Sequence, residues 1–203
     1  MKKTLLILLF ITLFFSNAHA FNPLVVCSGQ TVAAGGGYGS TACIGFTEDG
    51  TDCDETANPD NTFAASSDYT VCRKWTATTD GIVSRVKLRF GSSLGGGDVI
   101  GVVYINDTIE ATATFTTPAD AWVWSNDFQS YAAADMEFDN GDTVYFCAGF
   151  DYGGTNWTIK RNADVAPNQN YHYHATLWSA VTPSSTLDVH ATREFGIILE
   201  YDY

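Results

Sequence analysis

Hydrophobic and polar residues alternate over long stretches of the chain from Tyr69 onward. In the segments 82–90 and 194–203, apolar residues recur at every second position for most of their length. A period of two is typical of a half-buried β-strand. In the first of these segments, one predicted face holds Ile82, Ser84, Val86, Leu88 and Phe90, and the other holds Val83, Arg85, Lys87 and Arg89.

Breaks rich in glycine and asparagine separate the predicted strands. The segment 91–98 (GSSLGGGD), Asn140-Gly141 and Gly153-Gly154 are turn-forming sequences. No part of 21–203 combines a sustained apolar repeat of 3.6 residues with helix caps. The sequence therefore predicts an all-β domain, a two-sheet antiparallel β-sandwich of jelly-roll type. Its predicted strands cover 82–90, 99–105, 108–115, 121–128, 143–150, 156–161, 171–178 and 194–203.

The first twenty residues have the pattern of a secretory signal peptide. Lys2 and Lys3 precede the apolar run 5–15, and Ala18-His19-Ala20 supplies a small-x-small cleavage site. The apolar run is too short for a bilayer span, which needs about 20 residues. We expect residues 1–20 to be removed, the mature chain to begin at Phe21, and the protein to be secreted, extracellular or periplasmic, without membrane insertion.

Two further regions follow the signal sequence. Residues 21–68 are rich in glycine, cysteine and acidic residues, and we expect this segment to pack on the sandwich formed by 69–203. The chain has 10 basic and 23 acidic residues, a net charge of −13. This balance disfavours nucleic acid and anionic lipid surfaces as partners, because both are bound through Lys and Arg patches. It is compatible with a glycan partner or with a homo-oligomer.

All five cysteines follow the predicted signal sequence. Because export takes the protein to an oxidising compartment, we expect disulfides to form there. The sequence does not fix the connectivity. Since four cysteines fall within 27–72, we expect bridges among Cys27, Cys43, Cys53 and Cys72, with the pairs Cys27–Cys43 and Cys53–Cys72 preferred. Cys147 lies inside an apolar strand and is expected to be a buried free thiol.

Two groups of side chains are candidate metal ligands. Asp52, Asp54 and Asp60 belong to an acidic loop whose carboxylates suit Ca²⁺, although the loop lacks the spacing of an EF-hand. A solvated acidic loop is the simpler interpretation. His172 and His174 share one predicted strand face, but two ligands without a third are weak evidence for Zn²⁺ or Cu²⁺. Calcium is therefore the only cofactor that we carry forward as a candidate.

Two motifs point weakly to catalysis. The segment 91–95 fits G-x-S-x-G, but this nucleophile motif needs a helix after the serine, and a strand is predicted there. Glu137 and Asp139 could form the carboxylate pair of a glycoside hydrolase. They adjoin a strong turn signal, Asn140-Gly141, which favours a solvated loop. We therefore expect no enzymatic activity.

Aromatic residues suggest binding instead. Trp122 and Trp124 are spaced to share one strand face, and Trp157 and Tyr171 lie in later strands. Exposed rings of this kind stack on the apolar faces of sugars, whereas buried rings only fill the core. The sequence predicts that at least one of these four rings lines a glycan-binding surface.

Three segments carry a resemblance to a known class of proteins. The sequence from Tyr69 to Tyr203 resembles the non-catalytic jelly-roll modules of secreted bacterial proteins. The resembling segments are 75–86, 98–104 and 140–146. The resemblance implies a module that binds glycans or serves as a surface-structural unit. We therefore expect attachment to a polysaccharide or to a cell-surface glycan.

The C-terminal strand provides the main alternative function. Its aromatic end is similar to the last strand of chaperone–usher pilus subunits, which assemble by β-strand addition. A self-assembling, pilus-like extracellular subunit is therefore the second hypothesis, and a glycoside hydrolase the third. The segment 21–40 lacks a long alternating donor strand, so a last strand that completes its own sheet is the simpler expectation.

Overall fold

The computed structural model describes residues 38–46, 49–50, 59, 61–65, 69–91, 98–115, 120–151, 157–163, 171–189 and 193–203. These residues belong to one unit, Gly36–Tyr203. The predicted signal sequence, Cys27, Cys53 and the proposed calcium ligands Asp52, Asp54 and Asp60 lie outside the described residues.

Two large sheets and one small sheet contain all of the described strands. The strands of the first sheet are β1 (Thr41–Gly45), β2 (Asp49–Gly50), β5 (Gly81–Arg89), β8 (Trp122–Trp124), β10 (Glu137–Phe138) and β16 (Ile197–Asp202). Those of the second are β4 (Tyr69–Thr76), β6 (Asp98–Ile105), β7 (Thr108–Thr114), β9 (Gln129–Ser130), β11 (Thr143–Asp151), β13 (Tyr171–His174) and β14 (Asp188–Val189). The small sheet contains β3 (Asn61–Ala65), β12 (Trp157–Ala163) and β15 (Arg193–Phe195).

All pairings among these strands are antiparallel. The first sheet has the order β10-β5-β16-β1-β2, with β8 also paired to β5. The second has the order β14-β13-β4-β11-β6-β7-β9, and the small sheet has the order β15-β12-β3. A 3₁₀ turn (Trp178–Ala180) and the short helix α1 (Pro183–Thr186) lie between β13 and β14.

One apolar cluster joins the two large sheets. Leu88 and Leu199 of the first sheet and Val103 and Phe146 of the second are fully buried in it. Burial of one face of each sheet against the other is the arrangement of a β-sandwich. The prediction of an all-β antiparallel fold is therefore confirmed, while its jelly-roll connectivity stays a prediction.

The alternation predicted for β5 holds only in part. Val86, Leu88 and Phe90 face the core as predicted, but Val83 faces it too. The register explains the change, because Glu200 pairs with Arg85 while Tyr201 pairs with Val83. Ser84 is thus an extra residue, a β-bulge, and it moves the residues before it to the opposite face.

The last strand, β16, lies inside its own sheet. It pairs with β1 on one edge and with β5 on the other. Phe195, Ile197, Leu199 and Tyr201 face the core, in agreement with the predicted alternation. Both edges of β16 are therefore used within the chain, and strand addition of the pilus type would need a different strand.

The disulfide predictions need correction. Cys72 of β4 forms a disulfide with Cys147 of β11, where the two residues lie directly opposite each other in the sheet register. The predicted Cys53–Cys72 pair and the predicted free thiol at Cys147 are therefore both wrong. The buried position predicted for Cys147 is correct. Cys43 is also disulfide-bonded.

Part of the segment 21–68 contributes strands. β1 lies within the first sheet, and β3 forms an edge of the small sheet. The sequence does not reveal these strands, because glycine and acidic residues surround their short apolar runs. Among the described residues, no helix has the length and apolar composition needed to cross a bilayer.

Candidate functional site

Tyr171, one of the four predicted binding rings, is a core residue. It is 1% exposed and packs near Phe195, at 6.2 Å between ring centroids. The guanidinium of Arg73 lies 5.6 Å from its ring centroid. A ring in this position stabilises the fold and is not accessible to a ligand. The backbone of Trp157 lies in β12, and its side chain is outside what the structure describes.

Trp122 and Trp124 share one face of β8, as their spacing predicts, and both are half-buried. Trp122 packs against Phe46, with 5.8 Å between ring centroids. The ring of Trp124 is contacted by two cations, with the Arg85 guanidinium 4.2 Å and the Lys87 ammonium 4.9 Å from its centroid. These rings are therefore engaged in packing within the first sheet.

The basic residues of β5 are paired within the chain. Arg85 donates two hydrogen bonds to the Glu200 carboxylate, at 2.6 and 3.0 Å. The hydrogen bond with Glu200 raises the pKa of Arg85. Arg89 donates to Asp120 at 2.8 Å. Cross-strand pairing therefore accounts for Arg85, whereas Arg89 pairs with a residue just before β8.

A groove of about 690 Å³ lies on the outer face of the second sheet. Its floor includes Ile100 of β6 and Thr112 and Thr114 of β7. These residues point outward because the neighbouring positions of both strands, including Ala111 and Ala113, face the core. Nine described residues line the groove: Ile100, Thr112, Ala113, Thr114, Ser125, Asn126, Asp127, Gln129 and Trp178.

One wall of the groove is formed where the chain passes from β8 to β9. Phe128 is buried between the sheets and anchors this segment, while Asn126, Asp127 and Gln129 around it are exposed. The backbone N–H of Asn126 donates to the carbonyl of Thr114 at 2.8 Å. Its side-chain Nδ2 donates to Thr114 Oγ1, also at 2.8 Å. The wall is therefore fixed to β7 by main-chain and side-chain hydrogen bonds.

Trp178, in the 3₁₀ turn, forms the aromatic part of the groove. Its side chain lies directly over Gly149 of β11, where a Cβ atom would come within 2.7 Å of three of its atoms. The hydroxyl of Tyr104 donates to the Trp178 carbonyl at 2.6 Å, and burial raises the pKa of Tyr104, which keeps this donor protonated. Tyr131 contacts the indole edge-on, at 5.9 Å between centroids.

The groove thus combines an indole with polar side chains on a concave surface. Trp178 is half-buried, so part of its ring is accessible beside the exposed Asn126 and Asp127. Concave sites with apolar rings and a few fixed polar groups are typical of small-molecule binding, at volumes of about 300–1,000 Å³. The sequence includes Trp178 among its later aromatic residues, but spacing alone does not distinguish it from the others.

The other candidate side chains lie outside this groove. His172 is buried and packs against Tyr145, with 5.5 Å between ring centroids, while His174 Nδ1 lies 2.7 Å from Thr176 Oγ1. Within the described part of the chain, no group of three or more His, Cys, Asp or Glu side chains is placed to hold a metal ion. Glu137 is exposed on the edge strand β10 of the other large sheet.

No protein-family model matches this sequence, and no curated protein sequence is significantly similar to it.

Proposed function

We propose that this protein is a secreted, non-enzymatic glycan-binding module that attaches to a polysaccharide or a cell-surface glycan through the groove at Trp178. The observation that carries the proposal is the juxtaposition of the Trp178 ring with polar side chains on a concave surface of about 690 Å³. A sugar ring has an apolar face and a rim of hydroxyl groups, so a site for it needs an accessible ring beside hydrogen-bonding groups.

The proposal moves the binding site from the residues predicted by sequence to a different aromatic residue. Trp124 is stacked with Arg85 and Lys87, and Tyr171 is buried. Trp178, which is not among the four rings predicted from the sequence, lines the groove together with Asn126 and Asp127. Secretion is supported by the predicted signal sequence and by the Cys72–Cys147 disulfide, since stable disulfides are a feature of exported proteins.

A polysaccharide-retention assay tests the function. Affinity electrophoresis of the exported protein through gels containing cellulose derivatives, xylan, soluble chitin or starch measures retardation by each polymer. We expect at least one polymer to retard the wild-type protein, and Trp178→Ala to reduce its affinity at least about tenfold. Retardation by none of these polymers would refute the proposal.

Two variants separate binding from folding. Trp124→Ala removes a half-buried tryptophan from the first sheet, outside the groove, and should leave retention unchanged. Gln129→Ala removes an exposed polar side chain of the groove and should weaken retention without lowering the melting temperature. If Trp124→Ala abolishes retention in a folded protein while Trp178→Ala does not, the site lies on the first sheet and the assignment to this groove is wrong.

A further inference from the structure

Several polar side chains of the groove form hydrogen bonds within the protein. The Asn126 Nδ2 group donates to Thr114, and the Gln129 Nε2 group donates to the carbonyl of Phe128 at 3.1 Å. The hydroxyl of Ser125 donates to the carbonyl of Asn126 at 2.6 Å. The amide oxygens of Asn126 and Gln129 and the Asp127 carboxylate are acceptors available to a ligand, while the remaining donors of the groove, such as the Trp178 indole N–H and the Thr112 hydroxyl, are uncharged.

Among the described residues that line the groove, the only charged side chain is the negative Asp127. Asp127 is exposed and carries a carboxylate that takes part in no hydrogen bond among the described residues. None of the described residues that line the groove is Lys, Arg or His. Arg85, a cation that interacts electrostatically with Asp127, is held by two hydrogen bonds to Glu200 on the first sheet. A carboxylate or sulfate on a ligand would therefore meet like charge, with only uncharged donors among the described lining residues to replace its lost hydration.

From this we propose that the groove selects uncharged or amino sugars, whose hydroxyl and ammonium groups donate hydrogen bonds, and rejects uronate and sulfated glycans. Asp127 is the specificity-determining residue. The inference rests on the proposed glycan-binding function and adds the chemical class of the ligand. Binding energy comes from stacking on Trp178, and discrimination comes from the negative charge of Asp127 in the wall of the groove.

The test compares one polymer in two charge states. The neutral polysaccharide that retards the wild-type protein is compared with its uronate form, which is made by oxidising the C6 hydroxyls of a hexose polymer or, for xylan, is a glucuronate-substituted xylan, and dissociation constants for oligosaccharides of both forms are measured by calorimetry. We expect the wild-type protein to bind the uronate form at least about tenfold more weakly. The difference in affinity between the neutral and the uronate form, called the gap below, should become smaller at 1 M salt, where the Debye length is about 3 Å and charge repulsion is screened.

Two variants assign the discrimination to one carboxylate. Asp127→Asn removes the charge from the groove and should reduce the gap between the two polymers to within about threefold. Asp188→Asn removes one charge from the exposed strand β14 and should leave the gap unchanged. Both variants are expected to keep the wild-type melting temperature, because both side chains are exposed.

The results distinguish the two proposals. If no neutral polysaccharide binds, the glycan-binding function fails and this inference fails with it. If the protein binds the polyuronate as tightly as the neutral polymer, or more tightly, the function holds and the ligand class is wrong. An unchanged gap in Asp127→Asn would overturn the role of Asp127.

Discussion

Replacing Gly149 with alanine tests whether the groove depends on the packing of Trp178 against Gly149. Gly149 lies on the outer face of β11, and its missing side chain leaves the space that the indole occupies. An alanine Cβ would lie 2.7 Å from the Cβ, Cγ and Cδ1 atoms of Trp178. Carbon atoms pack at about 3.5–4.0 Å, so the indole must move outward by about 1 Å.

Two opposing effects set the change in stability. Forcing an extra methyl group into a packed contact costs about 1–3 kcal/mol. Replacing glycine by alanine also restricts the unfolded chain, which stabilises the fold by about 0.4–1 kcal/mol. We expect the steric cost to dominate, because the obstructing atoms include the Cβ of Trp178, whose backbone is held by the hydrogen bond from Tyr104. The net loss should be about 1–2 kcal/mol, a fall in melting temperature of about 2–8 °C.

Thermal unfolding and polysaccharide retention measure the two consequences of Gly149→Ala. Retention should fall at least about tenfold at a temperature where the variant is fully folded, because the displaced ring no longer lies beside Asn126 and Asp127. Gly39→Ala is the control, since a Cβ at Gly39 meets no atom within 4 Å. If Gly149→Ala has the stability and the retention of the wild-type protein, Trp178 is not packed against Gly149.

Further predictions concern the disulfide, one carboxylate and processing. The Cys72–Cys147 disulfide spans 75 residues, so replacing both cysteines with alanine should lower the free energy of unfolding in urea by about 4 kcal/mol. A loss below about 1 kcal/mol would contradict that loop-entropy estimate. The hydrogen bond from Asn106 lowers the pKa of Asp142 below its ordinary value of 3.8, so NMR titration of Asn106→Ala should show this pKa rising. The stability that depends on the lowered pKa is present above about pH 4 and is lost as the pH falls through the folded-state pKa of Asp142. Mass spectrometry of the exported protein should find Phe21 at its N-terminus, and an uncleaved membrane-bound form would refute secretion.

The fold class could be predicted because burial imposes a period of two on each strand. The core positions of β16 follow from alternation alone, since both edges of the strand are paired regularly as far as Glu200. The alternation on β5 changes at Ser84, where an extra residue enters the register. A bulge depends on the partner strand, so the hydrophobic pattern of one strand cannot reveal it.

The disulfide pairing could not be predicted for the same reason, because it depends on which strands are neighbours. Cys72 and Cys147 are brought together because β4 and β11 are neighbours in the sheet and pair in a register that places the two residues opposite each other. Proximity in sequence favours Cys53 as the partner of Cys72, but strand order and register decide the pairing. Cys147 is buried as predicted, and burial among apolar residues is as compatible with a disulfide as with a free thiol.

The aromatic residues show why spacing predicts a shared face but not its environment. Trp122 and Trp124 do lie on one face of β8, yet Phe46 and the side chains of Arg85 and Lys87 contact them there. A ring becomes available for binding only where neighbouring elements leave it partly uncovered. That condition is met on the second sheet. There the segment after β13 packs Trp178 against Gly149 of β11, beside the outer faces of β6 and β7.

The groove exists because the chain changes sheets beside that face. Between β8 and β9 the chain passes from the first sheet to the second, and burial of Phe128 fixes the crossing. The two residues adjacent to a buried residue in an extended segment face outward, and here they are Asp127 and Gln129, while Asn126 is exposed as well. The Asn126 amide donates to Thr114 of β7, whereas the Gln129 amide donates only to the adjacent Phe128 carbonyl. The charge of Asp127, on which the proposed ligand preference depends, is therefore brought into the groove by the burial of Phe128 next to it.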